Sequence, residues 1–187
     1  RQMCIRDSSK AYTLKATGNS DDYADVVPTD ILWQENFNSA WLPTGWHIES
    51  QGQSMESWYR DEDYMATCNY DENFQQDEWL ITPAIDISDR QTEVHMVFDF
   101  NTVYAFTTYY KHCNLLVMAS QDGGNSWQEI WNLWEAGIFA DWTNTQARVT
   151  IPQELQGSET LQFAFVYRGK DGAMISIDTV SYTHLRA

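Results

Sequence analysis

Basic residues are scarce in this chain: it has 11 Lys and Arg against 27 Asp and Glu, which gives a formal net charge of −16 over 187 residues. Such a negative field repels nucleic acids and anionic membrane surfaces, so the charge argues against a nucleic-acid partner and against a phosphate-binding role. The same charge attracts divalent cations. It leaves two interpretations open, a solvated acidic surface or a local cluster of carboxylates that binds a cation.

Long apolar runs and cysteines are also rare. No run approaches the roughly 20 apolar residues of a membrane span, so we predict no membrane insertion within this chain. Cys4 lies in a terminal segment that is set aside below. Cys68 and Cys113 either form a disulfide in an oxidising compartment or stay free, and no zinc-ligand spacing is visible.

The sequence lacks the common catalytic signatures. It has no Gly-x-Ser-x-Gly elbow, no Gly-rich phosphate loop and no His-Glu-x-x-His pair. A carboxylate pair for glycoside hydrolysis could be present among so many acidic residues, but their abundance is not a pattern. We therefore predict that the chain is not an enzyme, and a small hydrolase is the least favoured alternative.

The two ends of the sequence differ in residue pattern from the rest of the chain. Residues 1–8 and 181–187 resemble translated sequencing-adapter remnants of metagenomic reading frames, and we interpret them as artefacts. Residues 9–30 are polar and are interpreted as a linker or as the end of a preceding module. Residues 31–180 suit one domain, since the chain is 43% hydrophobic with nine tryptophans and can bury a core without staples.

The remaining pattern is that of β-strands. The segment 115–127 enters a Gly123-Gly124 turn from an apolar run and leaves it through Trp127, which predicts a tight hairpin stabilised by Asp122. Residues 94–104 and 161–167 alternate between apolar and polar positions, as half-buried strands do. Only 131–139 suits a short helical turn. We predict an all-β fold, a two-sheet antiparallel β-sandwich of the jelly-roll type with few or no helices.

Five motifs along this domain resemble one family. In chain order they are Glu35-Asn-Phe37, Leu42-Pro-Thr-Gly-Trp46, Asp77-Glu-Trp-Leu-Ile-Thr-Pro-Ala-Ile-Asp86, Ser120-Gln-Asp-Gly-Gly-Asn-Ser-Trp127 and Ile175-Ser-Ile-Asp-Thr-Val180. Together they resemble a choice-of-anchor J domain, the cleaved-adhesin type of jelly roll, which is related in pattern to MAM domains. The resemblance implies a β-sandwich in a secreted or surface-anchored bacterial protein.

The resemblance also implies a structural calcium ion that ties the first strand to the last through Glu35 and Asp178. Independently of it, Asp178 stands in an apolar strand, where an unpaired carboxylate is costly to bury and a cation would neutralise it. The alternatives are an Asp178 side chain that points into water, or one that pairs with Arg168 or Lys170. Asp61 is either a further calcium ligand or part of a solvated loop.

These features favour an extracellular or cell-surface binding module, a monomeric unit of a larger protein that adheres to a glycan or to a surface protein. Aromatic rings beside carboxylates could stack on sugars or anchor a partner, and Trp58, Tyr109 and Tyr110 are the candidate ligand-binding residues. The alternative is that these rings fill the core; for Tyr109 and Tyr110 exposure and burial are equally compatible with the sequence. A structural spacer beside a catalytic domain is the second functional interpretation.

Overall fold

A computed structural model describes residues 29–89 and 93–185; residues 1–28, and with them the predicted artefact 1–8 and almost all of the predicted linker, lie outside the described residues. The described chain forms eleven strands: β1 Thr29–Glu35, β2 His47–Ser50, β3 Trp58–Arg60, β4 Ala66–Cys68, β5 Gln76–Ile81, β6 Val94–Asn101, β7 Cys113–Ser120, β8 Gln128–Asn132, β9 Thr145–Thr150, β10 Gln162–Gly169 and β11 Ile175–Leu185. Its helices are short: a π-helix at Ala105–Tyr109 and 3₁₀ turns at Leu133–Glu135 and Gln153–Leu155. Within the described residues, no helix has the length and apolarity needed to cross a membrane.

Two antiparallel sheets face each other. The six-stranded sheet has the order β3-β4-β11-β6-β9, with β1 also paired to β11, and the five-stranded sheet has the order β2-β5-β10-β7-β8. All pairings between named strands are antiparallel. The predicted fold class, a two-sheet antiparallel β-sandwich, is confirmed.

The core is built from the alternating positions that the sequence shows. Met96, Phe98 and Phe100 on β6 are buried between the sheets. The ring of Phe98 meets the ring of Phe165, on β10 of the opposite sheet, edge to face at 5.0 Å between centroids. Aromatic pairs in this arrangement contribute about 0.5–1.5 kcal/mol beyond the area that they bury. The two sheets are therefore joined by specific ring contacts as well as by apolar area.

The boundaries of several elements differ from the sequence analysis. The acidic stretch 56–77, in which none of the sequence patterns described above predicts a strand, contains the short strands β3 and β4, whose ladder is completed by β11. Strand β11 continues past Val180 to Leu185, and so includes five residues of the segment 181–187 that was set aside. Tyr182 in this extension is fully buried and stacks on Trp33 at 5.1 Å. The described sandwich thus extends beyond the domain boundary expected at residue 180.

The hairpin between β7 and β8 is built around Asp122. The carboxylate of Asp122 accepts hydrogen bonds from the hydroxyl and backbone N–H of Ser126 and from the hydroxyl of Ser120. Gly123 and Gly124 adopt positive φ angles of 71° and 84°, which glycine reaches without a Cβ clash. Trp127 packs against Trp79 at 5.5 Å between centroids. Asp122 and Trp127 therefore stabilise the hairpin, as predicted.

The two cysteines are not bonded to each other: Cys68 and Cys113 are both buried free thiols. Cys113 instead supports the turn between β10 and β11. A Cβ atom on Gly172 would lie 2.5 Å from Cys113 Sγ, and one on Gly169 would lie 2.5 Å from Cys113 Cβ. Only glycine fits at these two positions, so the turn is held directly against the start of β7.

Replacement of Asp122 should destabilise the protein in a pH-dependent way. The hydroxyl of Ser126, followed by its N–H and by the Ser120 hydroxyl, lowers the pKa of Asp122 from 3.8 to about 2. A lowered pKa stabilises the fold above the unfolded-state value, and that contribution is lost as the pH falls through about 2. Thermal melts of wild type and Asp122→Ala should differ at neutral pH and converge between pH 3.8 and about 2. A difference between the two proteins that stays constant over this range would contradict the assignment.

Gly172→Ala should destabilise the fold, because the added methyl group meets both Cβ and Sγ of Cys113 at 2.6 and 2.5 Å. Forcing a methyl group into a packed site costs about 1–3 kcal/mol. Urea unfolding should therefore show a lower free energy of unfolding than wild type. A variant as stable as wild type would show that the turn is not held against β7.

Candidate functional site

Five connections pass from one sheet to the other at the same end of the sandwich, which we call the crossover end. Their common position follows from the strand register: Gly169, the last residue of β10, is paired with both Gln76 and Cys113, the first residues of β5 and β7. On the other sheet, the start of β11 is paired with the ends of β4 and β6. The loops of the crossover end are residues 51–57, 69–75, 102–112, 133–144 and 170–174.

Exposed apolar side chains are concentrated at the crossover end. Among the described residues, every exposed large hydrophobic side chain except Ile31 and Tyr64 lies on one of its five loops. A concentration of exposed apolar side chains marks an interaction surface more often than scattered single residues do. The exposed aromatic residues of the crossover end are Tyr70, Phe74, Phe106, Tyr109, Tyr110, Trp134 and Trp142.

Hydrogen bonds between the loops hold this surface together. The N–H of Asp171 donates to the carbonyl of Asp71 (2.8 Å), and Nδ1 of His112 donates to the carbonyl of Asp171 (2.9 Å). The hydroxyl of Thr102 donates to the carbonyl of Met174 (2.7 Å), and the N–H of Trp142 donates to the carbonyl of Thr102 (3.0 Å). Four of the five loops are thereby tied to one another.

The remaining loop joins through Ser54, whose hydroxyl donates to the carboxylate of Asp71 at 2.7 Å. This hydrogen bond, followed by one from the N–H of Asn73, lowers the pKa of Asp71, with a further contribution from Lys170. Asp71 is therefore ionised at neutral pH and acts as a fixed acceptor in its loop. The crossover end is a preorganised surface that five loops share.

The loop backbone at this end is strained. Lys111, Trp142 and Asp171 have φ angles of 57°, 54° and 50°, a left-handed conformation that costs non-glycine residues energy. The loop 102–112 also contains the π-helix Ala105–Tyr109, in which the N–H of Tyr110 donates to the carbonyl of Ala105. Backbone strain and π-helical turns both occur preferentially at functional sites. This supports a functional role for the crossover end.

Between the loops lies a cavity of about 270 Å³, which we call the aromatic cavity. Its walls include the rings of Tyr70, Phe106 and Trp142, each between 40% and 56% exposed. Of the residues that line it, only Asp171 is charged. Ligand pockets are typically apolar clefts with a few fixed polar groups, and their volumes begin at about 300 Å³. The aromatic cavity has this composition and the size for one small ligand unit.

A row of rings continues from the cavity. Phe106 is 6.4 Å from Tyr110, and Tyr110 is 4.9 Å from Tyr109, between ring centroids. Tyr109 is 71% and Tyr110 60% exposed, so the structure decides in favour of exposure for these two candidate ligand-binding residues. The ammonium group of Lys111 lies over the ring of Trp134 at 5.0 Å. The surface can therefore contact a ligand that is longer than the cavity.

The third candidate, Trp58, does not belong to this surface. It lies on β3 and is only 4% exposed, and its indole N–H donates to the backbone carbonyl of Glu78 at 2.9 Å. The structure therefore supports the alternative interpretation of Trp58, that its ring fills the core, because strand β3 turns the ring inward.

The two predicted cation ligands, Glu35 and Asp178, lie on β1 and β11 of the six-stranded sheet. Strands β1 and β11 are neighbours, and Glu35 is paired with Val180, two residues from Asp178. Burial raises the pKa of Asp178; a hydrogen bond from the Thr179 N–H opposes this shift, and the carboxylates of Asp99 and Asp61 add to it. The expected neighbourhood of the first and last strands is therefore present, and Asp178 lies half-buried among like charges.

The structure does not gather a full set of carboxylates there. Among the described residues, no group of three or more His, Cys, Asp or Glu is arranged to hold a metal ion. Asp61 instead stabilises its own hairpin, since its carboxylate accepts hydrogen bonds from the N–H groups of Asp63 and Met65 and from the Thr67 hydroxyl. The alternative partner Arg168 forms its ion pair with Asp77 (3.1 Å), so it does not neutralise Asp178.

The ligand-binding residues predicted from the sequence include none of the residues that line the aromatic cavity, and Trp142 and Asp171 illustrate why. Trp142 stands in the polar run 141–144, the same signal of an aromatic ring in a polar turn that pointed to Tyr109 and Tyr110. Asp171 gives no such signal, because it becomes special only through its left-handed backbone and its contact with the loop at Asp71.

No protein-family model matches the chain, and none of the curated proteins matches it. Among solved structures, the K3 cleaved adhesin domain of Lys-gingipain from Porphyromonas gingivalis is similar with a TM-score of 0.58 and 18% identity, over 83% of this chain and 99% of that domain. The K1 cleaved adhesin domain of the same protein gives a TM-score of 0.56 and 14% identity, over 86% and 99%. A xylan-binding module, CBM15, gives a TM-score of 0.52 and 16% identity, over 84% and 96%. The chain thus has the β-sandwich fold that cleaved adhesin domains and this carbohydrate-binding module share.

Proposed function

We propose that this chain is a non-catalytic module that binds carbohydrate at its crossover end. The observation that carries the proposal is the concentration of exposed aromatic rings around one cavity and along the adjoining row from Phe106 to Tyr109. Aromatic faces are flat and apolar, and they match the C–H faces of sugar rings. The hydrogen-bonded loops keep these rings in place before a ligand arrives, which lowers the entropy cost of binding.

The shared fold supports a binding role as well, since the similar structures are described as adhesin domains and as a xylan-binding module. We propose on this basis, together with the five sequence motifs, that the chain is a choice-of-anchor J domain of an extracellular or surface bacterial protein. A protein ligand at the same rings is the second form that this adhesive function could take. Binding of a free oligosaccharide distinguishes the two, because a module that binds only protein would not bind it.

We also propose that a structural calcium ion joins β1 to β11. Glu35 and Asp178 would hold it, with backbone carbonyls and waters as the further oxygen ligands that calcium requires. The support is the half-buried Asp178 among the like charges of Asp99 and Asp61, a position that a cation would neutralise. The ion would stabilise the pairing of the first and last strands and has no part in ligand contact.

Aromatic substitutions at the crossover end should weaken glycan binding. Loss of a ring that stacks on a sugar should reduce affinity roughly tenfold, and this is expected for each of Tyr110→Ala and Trp142→Ala. The measurement is a glycan array of neutral plant and microbial polysaccharides, followed by calorimetric titration with the best oligosaccharide. Tyr64→Ala is the matched control, because Tyr64 is exposed on the β3–β4 hairpin at the opposite end. Absence of binding across the whole array, with correctly folded protein, would favour the spacer interpretation.

Calcium should raise the melting temperature of the wild type and chelator should lower it. A ligand that binds only the folded state adds about 2.7 kcal/mol at a hundredfold excess over its Kd. Asp178→Asn should lose this response. In chelator, the variant should melt no lower than wild type at neutral pH, because a raised pKa means that ionisation of Asp178 destabilises the folded state. Identical melts with and without calcium, for protein shown to be metal-free by elemental analysis, would refute the calcium site.

A further inference from the structure

The walls of the aromatic cavity suit a positive charge. Tyr70, Phe106 and Trp142 surround one space, and the faces of aromatic rings attract cations through their quadrupoles. Such an attraction is stronger where the groups are partly desolvated, and each of these three rings is partly buried, at 40% to 56% exposure. A neutral sugar ring would also fit against the rings, so the walls alone do not select between the two.

The carboxylate of Asp171 favours a cationic ligand over a neutral sugar. Asp171 is the one charged residue that lines the cavity, and within the described part of the chain its exposed carboxylate makes no hydrogen bond or ion pair. Its backbone is fixed on both sides, by the bond from its N–H to Asp71 and by the bond that its carbonyl accepts from His112. An exposed carboxylate on a fixed backbone, beside a cavity and without a partner in the described residues, is available to a ligand.

The basic residues nearby are directed elsewhere. The ammonium group of Lys111 lies over the ring of Trp134, and Lys170 acts on the carboxylate of Asp71. Neither lysine lines the cavity. The chain as a whole carries a net charge of −16, which raises the local concentration of cations at its surface.

We infer that the aromatic cavity binds a cationic group, the protonated amine of an amino sugar, with Asp171 as the residue that selects it. This inference rests on the proposed glycan-binding function and names the class of sugar. The rings of Tyr70, Phe106 and Trp142 contact the sugar and its ammonium group, and the Asp171 carboxylate accepts a hydrogen bond from that group. The cavity volume of about 270 Å³ admits one sugar unit, and Tyr110 and Tyr109 receive the units that follow.

The test uses three tetrasaccharides with the same β-1,4 linkage, in which the group at C2 is an amine, an acetamide or a hydroxyl: the tetramers of glucosamine, N-acetylglucosamine and glucose. Calorimetric titration of the whole chain at a pH where the amine is protonated should show that the glucosamine tetramer binds roughly tenfold more tightly than the glucose tetramer. The preference should shrink at high salt, because the interaction is between charges.

Asp171→Asn should lower the affinity for the glucosamine tetramer roughly tenfold and so abolish its preference over the glucose tetramer. Asparagine tolerates the left-handed backbone of this position, so the variant keeps the fold, which a thermal melt checks. Glu135→Gln is the matched control: it removes one exposed acidic group from the crossover end but none from the cavity, and it should keep the preference.

The outcomes separate the two proposals. Equal affinities for the three tetramers would overturn the amino-sugar inference and leave glycan binding standing. A preference that persists in Asp171→Asn would overturn the role of Asp171. If no tetramer binds but tetramethylammonium binds in an Asp171-dependent manner, the cationic cavity is supported and the glycan function fails. If neither the tetramers nor tetramethylammonium binds, both proposals fail.

Discussion

The packing of ring against ring between the two sheets is the contact on which the rest of this molecule depends. Phe98 and Phe165 come from opposite sheets, and their edge-to-face contact at 5.0 Å joins the inner faces of the sandwich. Because five connections then cross between the sheets at one end, their separation sets the distance that each loop must span. The core therefore determines the shape of the crossover end, although none of its rings is exposed there.

The crossover end combines order with exposure. Its loops contain little regular secondary structure, but hydrogen bonds join them to one another. Asp171, for example, is bonded to Asp71 and to His112 on two other loops. Gly172, packed against Cys113, anchors the same turn to the rigid start of β7. Strained residues such as Trp142 persist only where their surroundings over-determine them. The strained backbone of these loops costs folding free energy, and it holds rings and a carboxylate at the surface, as a binding site requires.

Part of this arrangement can be predicted from the sequence, and part of it cannot. For Tyr109 the sequence left exposure and burial equally open, whereas the two-residue alternation around Phe98 and the Gly123-Gly124 turn both follow from local patterns. The burial of Trp58 does not follow from a local pattern. Its environment depends on β11, more than a hundred residues away, which completes the ladder of β3 and β4. Asp61 is similar: the pattern shows an acidic loop, whereas the fold shows a carboxylate that is occupied by its own hairpin.

The sequence by itself determined the class of fold and the hairpin around Asp122, because alternation and turn chemistry act over short stretches of chain; the neighbourhood of the first and last strands was implied by the family resemblance. Only the tertiary structure decided which rings stay exposed and which carboxylate stands alone in a cavity. Phe106, Trp142 and Asp171 lie on three different loops, and they line one cavity because both sheets end at the same place. Local patterns carry no information about such a meeting of distant segments.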